Sequence, residues 1–418
     1  MALRRDVIRF RRSRKRPRSW NRSRAGWPCG RAAYILAPAL LAAVCLAFWL
    51  NRPSRPVEPL PTAAPGPTAA PAPGRPDGAP DGVVIEATAA PTQPVLGGED
   101  LPGGPVTRVD SREALIRLFW QMIDSGQETA RLEALTLSDA EVAETIDKFS
   151  NYFDAYAVDA DGPGLTVAFK TGVKVLSAIR QGREEALDEG EKAIARRARE
   201  IVDSLVFPGM TDAEKELAIH DYIVDHCAYL TYVRGYDTNS ARGFFENGLC
   251  QCAGYVDTFR LLARLAGLEV EMIGGPTTRD LPSSKGHAWN LIRLDGLWYV
   301  VDVTWDDMVG TGNTLEHTFF NLPCTVFGGS RSWDDACCPA GTYAATVDDK
   351  YYYSRPGFAA RTTAEAVELA QRQIAADGKA YIYFPGGGDA SAVGAALGCR
   401  AEELSQDLTI DLYTFTPR

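Results

Sequence analysis

Residues 248–268 read GLCQCAGYVDTFRLLARLAGL. Phe259, Leu261, Leu262 and Leu265 recur at helical spacing and Gly267 is a stop signal, so the spacing predicts a helix that begins near Cys252. A cysteine at a helix start sits against backbone N–H groups, which favour the thiolate, the nucleophilic form of the side chain. Ala253 and Gly254 are small and allow close approach of a neighbouring strand or of substrate. Cys250 falls in the entering loop.

Downstream, KGHAWNLIRLDGLWYVVDVTWDD spans residues 285–307. Asp295-Gly296 between two alternating apolar runs signals a β-hairpin with a two-residue turn. That turn sets Leu294 opposite Leu297, Trp289 opposite Asp302 and His287 opposite Thr304. Alternation then puts His287, Trp289 and Asp302 on one face, with His287 and Asp302 as diagonal neighbours at about 7–8 Å between backbones. A carboxylate so placed can hold the tautomer of an imidazole and stabilise imidazolium, while the other ring nitrogen addresses a thiol. Cys252, His287 and Asp302 therefore form a candidate catalytic triad.

With EKELAIHDYIV before the cysteine and HTFFNLP after the hairpin, these stretches resemble the transglutaminase-like superfamily, in its microbial protease-like and cytokinesis-protein branch, over roughly residues 205–325. The resemblance rests on a Cys-x-Gly-Tyr helix start, His-Ala-Trp-Asn and Asp-Val-Thr-Trp in this order. It implies Cys252 as nucleophile, His287 as general base and acid, and Asp302 as the orienting carboxylate. It also implies an α+β fold with a papain-like core, in which the cysteine helix packs on an antiparallel sheet. Trp289, on the catalytic face, and the Gly254-Tyr255 pair beside the cysteine are the candidate substrate contacts. Ala253 stands where the animal enzymes carry Trp, and no acidic loop has calcium-ligand spacing. Calcium activation is not expected, and neither a cofactor nor a metal is assigned.

The chemistry implied is attack on an amide carbonyl through a thioester. Water as acceptor makes a peptidase or amidase, and a lysine or diamino-acid amine makes a transglutaminase; the branch favours hydrolysis. The partner is then a peptide or protein amide. A scaffold that keeps the fold without turnover, holding an envelope or cell-division partner, is the alternative from another class. His220 and His226 read as packing or surface histidines and His317 as a secondary candidate. With Cys252 set aside, Cys227, Cys250, Cys324, Cys337, Cys338 and Cys399 permit three disulfides without showing any.

Working outward, Ser111 opens a helix ending at Gly126, and a strand-like ARLEALTL follows. A second helix runs from Ser138 to about Phe153, before the strand LTVAFKTG. Near the C-terminus the helix TAEAVELAQRQIAADG, the strand KAYIYF, a helix around SAVGAALGCRAEEL and the strand LTIDLYTFT repeat the order, which raises an internal repeat despite slight identity. Two charged helices, from EEALDEGEKAIARRAREIVDSLV and MTDAEKELAIHDYIVDHCAYL, lie between the first flank and the cysteine.

Of the 418 residues, 45% are hydrophobic and 23% charged, enough for a sizeable core. The net charge of −10 is divided unevenly. Residues 1–31 hold twelve basic residues against Asp6, and the acidic remainder argues against a nucleic-acid partner. Residues 32–50, AAYILAPALLAAVCLAFWL, contain no charge and read as a transmembrane helix, with the basic tail cytoplasmic and everything after it extracytoplasmic. That reading makes a single-pass membrane protein and suggests cell-envelope proteins or peptidoglycan peptides as substrates. Residues 51–107 read as a disordered linker rich in Pro and Ala. The expected organisation is thus a basic tail (1–31), a membrane helix (32–50), a linker (51–107), an N-terminal α/β flank (108–204), the catalytic core (205–330) and a C-terminal α/β extension (331–418).

Overall fold

The computed structural model describes residues 8–9, 106–159, 163–230, 236–277, 286–309, 316–404 and 408–418. The expected membrane helix, 32–50, and nearly all of the tail and linker lie outside them. Among the described residues no helix is long and apolar enough to cross a membrane. The expectation of a single-pass membrane protein, with its localisation, is corrected accordingly.

The described chain is a mixed α+β structure whose centre is the helix Cys252–Leu265. Ten of its residues, from Gly254 to Ala263, are buried, because the helix is wrapped rather than laid on a surface. On one side lies a sheet in the order 342–343, 297–301, 286–294, 269–276. Asn290 reaches from that sheet to the helix, its Nδ2 donating to the Val256 carbonyl at 3.1 Å. On other sides pack the helices Thr171–Arg180, Glu189–Leu205, Asp212–His226 and Ala241–Asn247. Asp257 ties two of them down: its Oδ2 accepts from Gly172 N and Ala241 N, each at 2.8 Å.

The hairpin has the register expected from its turn, with Leu294 opposite Leu297 and Asn290 opposite Val301. Asp295 (φ 49°) and Gly296 (φ 85°) adopt the left-handed conformations that such a turn requires. The second strand stops at Val301, however, and residues Val303–Val309 form a helix. Thr304 is therefore not opposite His287. The reason is local. The Asp302 carbonyl accepts from Trp305 N and Asp306 N, and its carboxylate Oδ1 accepts from Trp305 N at 3.2 Å, so Asp302 caps a helix start.

The two flanks share one arrangement. The N-terminal flank runs helix 112–125, strand 129–131, helix 139–147, strand 153–158, strand 164–169. The C-terminal one runs helix 363–377, strand 380–383, helix 390–397, strand 399–403, strand 412–417. In both, the last strand is central and pairs antiparallel with the other two. Both first helices end on a left-handed glycine, Gly126 and Gly378. Three boundaries differ from the sequence reading. The helix after Ser138 ends at Asp147, Thr171 opens a helix where a strand was read, and 399–403 is a strand because Gly398 (φ 64°) ends the preceding helix.

The N-terminal flank shares a core with the centre. Phe119, Phe149, Tyr152 and Phe153 cluster with Val256, Met272 and Ala288. The Tyr152 hydroxyl donates to Glu271 Oε2 at 2.7 Å and accepts from Met272 N at 2.7 Å. Glu271 also receives Arg260 Nε at 3.0 Å and a contact from Arg264, so both arginines of the cysteine helix face a carboxylate where they are buried. On the opposite side, Tyr381 and Tyr383 of the C-terminal sheet join a cluster containing Trp289, Trp298 and Trp305.

Candidate active site

Cys252 stands at the first position of the central helix and is half-buried. Gln251, which precedes it, makes no side-chain cap, so the first-turn N–H groups are not claimed by a capping side chain. His287 comes from the strand Gly286–Leu294 and Asp302 directly follows its partner strand Leu297–Val301; both are buried. His287 Nε2 lies 2.7 Å from Asp302 Oδ2. Nδ1 of the same ring has no hydrogen-bond partner among the described residues. Burial alone would push His287 toward its neutral form. The charge and hydrogen bond of Asp302, with the neighbouring Cys252 thiol, outweigh it and raise the imidazole to about 9. The structure thus brings the three triad candidates together.

The expected substrate contacts are occupied by the protein. Trp289 is fully buried, its ring 5.1 Å from Phe327 and 5.8 Å from Trp333. With Trp305 it flanks the His287 ring, each at 5.9 Å. Tyr255 is buried and its hydroxyl donates to the Asp307 carboxylate. The space beside Gly254 is filled by the Thr238 carbonyl and Cys250. Cys250 itself lies in the short strand Leu249–Cys250, fully buried, and burial pushes its thiol well above the ordinary range. Of the two neighbouring thiols, only that of Cys252 is accessible.

His220, read as a packing or surface histidine, and His317, read as a secondary candidate, form a second polar network next to the first. His220 Nε2 is 3.1 Å from Asp306 Oδ2, its Nδ1 is 3.0 Å from Asp221 Oδ1, and His317 Nε2 is 2.7 Å from that same oxygen. Phe319 N donates to Asp306 Oδ1 at 2.8 Å, and His317 stacks on Tyr352 at 3.7 Å. Donor atoms of His220, Asp221 and His317 lie within 4.8 Å of one another, close enough to hold a metal ion, although each already has a partner in the network. The helix Val303–Val309 is thereby held at both Asp302 and Asp306. The stretches IHDYIV, VTWDD and HTFFN meet here, which no spacing rule would have foreseen. His226 is at the surface, as read, against Tyr222.

Residues 199–303 match the Transglutaminase-like superfamily. This segment is a transglutaminase-like domain. The chain is similar to kyphoscoliosis peptidase of Homo sapiens, 28% identical over 130 residues, covering 29% of this chain and 20% of that protein. The Mus musculus protein of the same name is 26% identical over 149 residues, covering 32% and 22%. The chain thus spans about a fifth of the length of the curated relatives it matches. A crystal structure described as that of a TGase aligns at 16% identity and a TM-score of 0.25, covering 50% of this chain and 60% of that one. The match ends at Val303, directly after Asp302, so part of the surrounding network lies beyond it.

Proposed function

We propose that the transglutaminase-like domain is a thiol hydrolase of peptide or protein amide bonds, working through a Cys252–His287–Asp302 triad and a thioester. The observation that carries this reading is the buried His287–Asp302 pair at 2.7 Å, with the second imidazole nitrogen unbonded beside an accessible cysteine at a helix start. His287 takes the Cys252 proton, the thiolate adds to the carbonyl carbon, and the tetrahedral oxyanion collapses as His287 protonates the departing amine. Water then enters, gives its proton to His287, and releases the acid and the free thiol. The backbone N–H of Cys252 supplies a donor for the oxyanion. Asp302 holds the ring and stabilises imidazolium throughout. Hydrolysis is preferred to transamidation because the curated relatives are named peptidases. Envelope proteins and peptidoglycan peptides had been suggested by a membrane topology that the described residues do not support, so the substrate is stated as a peptide or protein amide.

The test is incubation of the purified protein with a denatured protein and with an alkyl amine donor, read by mass spectrometry. Cleaved products that vanish in Cys252→Ala, together with iodoacetamide labelling of Cys252 and not of Cys250, are expected. Turnover that persists in Cys252→Ala refutes the assignment, and amine incorporation without cleavage replaces hydrolysis by transamidation.

A further inference from the structure

Arg331 lies directly after the stretch read as the catalytic core and outside the residues that match the family. Its side chain is fully buried, and Nη2 lies 3.9 Å from Asp302 Oδ2, the same oxygen that meets His287 Nε2. Three rings fix the guanidinium: its central carbon is 4.2 Å from the centre of Phe327, 5.1 Å from Phe319 and 5.8 Å from Trp305. Its backbone forms an antiparallel bridge with Thr277, just beyond the strand that pairs with the His287 strand. A guanidinium so deeply buried is costly unless an anion faces it.

A carboxylate oxygen approached by both a guanidinium and an imidazole divides its field between them. The Arg331 cation, facing the same oxygen, holds Asp302 in place and reduces the pull that Asp302 exerts on the imidazole proton. We propose that Arg331 is a positioning residue of the active site, sharing Asp302 with His287 and so setting how readily the imidazole gives up its proton. The inference rests on the reading of Cys252, His287 and Asp302 as the reacting group. Among the described residues, the other titratable groups that bear on His287 are the Cys252 thiol from the central helix and Asp306, which acts on Asp302 from the next helix and is itself paired with His220.

The experiment is an NMR titration of the His287 ring in the Cys252→Ser protein, where thiol ionisation does not intrude. It compares Arg331→Met and Arg331→Lys with the parent. Arg331→Met is expected to raise the His287 midpoint by at least about half a pH unit, and Arg331→Lys, which restores the charge, to leave it near the parental value. An unchanged midpoint in folded Arg331→Met overturns the proposal; Arg331→Gln is the second neutral variant should the Met protein not fold. In the Cys252 protein, the alkaline limb of iodoacetamide alkylation should move in the same direction. A shifted midpoint with no amide turnover in the unmodified protein would defeat the proposed function and leave this inference standing, and turnover with an unshifted midpoint would do the reverse.

Discussion

Gly254 faces Thr238 at a distance that admits no side chain: a Cβ on Gly254 would stand 2.6 Å from the Thr238 carbonyl oxygen and 2.8 Å from Cys250 Sγ. The glycine matters because it lets the start of the cysteine helix press against the 237–240 segment, to which Gln251 N also bonds through Thr238 O at 2.7 Å. Gly254→Ala should push the helix start away, costing about 1–3 kcal/mol of stability and displacing Cys252. Urea denaturation and the rate of Cys252 alkylation measure both. An alanine variant with parental stability and alkylation rate would show that the Thr238 segment yields.

Asp302→Asn tests the triad and the linkage together. Asn keeps the shape but not the charge, so turnover should fall by roughly 10³–10⁴-fold. His287 is raised to about 9 in the fold. The stability it contributes is therefore fully present below its ordinary value of about 6.5 and is lost as pH rises through about 9. The slope of stability against pH in that window should be shallower in the Asn variant, as read by thermal denaturation at pH 6 and pH 9.5. Equal slopes would exclude the pair as the source.

Glu216 predicts a gain. It is fully buried, Oε1 has no hydrogen-bond partner among the described residues, and Oε2 accepts from Asn321 Nδ2 at 2.8 Å. Burial pushes its carboxyl up to about 8, against the Asn321 hydrogen bond and the His220 charge. The unfolded chain ionises Glu216 from about 4.5, so the folded form holds a proton that the unfolded form has lost, and stability declines between those values. Glu216→Gln keeps an oxygen for Asn321 and abolishes the penalty. It should be more stable than the parent by on the order of 1–3 kcal/mol at pH 8 and little different at pH 4.5. A parental denaturation midpoint at pH 8 would contradict this.

Tyr152→Phe addresses how the N-terminal flank is joined to the centre. The hydroxyl serves Glu271 and Met272 N at once, so its removal leaves a buried N–H and weakens the compensation of Arg260 and Arg264. A loss of about 1–3 kcal/mol is expected, with faster hydrogen exchange at Met272. Unaltered exchange at that amide would mean that the flank docks through its apolar contacts alone.

Much of the central architecture was legible from local pattern. Apolar periodicity located the helix start at Cys252, and Asp295-Gly296 located the hairpin turn and its register. The resemblance carried by those stretches implied the roles now proposed for Cys252, His287 and Asp302. Asp302 was correctly placed near His287, but for an incomplete reason: it follows the end of a strand and caps a helix, where continued pairing had been assumed. A strand-to-helix switch depends on where the Asp302 carbonyl and carboxylate find donors, and alternation of side chains is silent on that.

Gly254, Tyr255 and Trp289 show the same limit from the other side. Their residue types suit a cleft, yet each is enclosed by groups from distant parts of the chain: Thr238, Asp307, Phe327 and Trp333. The sequence by itself determined the elements whose signals lie within one turn or one hairpin, because helix periodicity, strand alternation and turn chemistry act over a few residues. Only the tertiary structure decided that His220, Asp306 and His317 form one network, that Arg331 reaches Asp302, and that two like flanks enclose the centre. Those contacts arise from burial, which obliges each charged or polar group to find a partner wherever the fold brings one within reach.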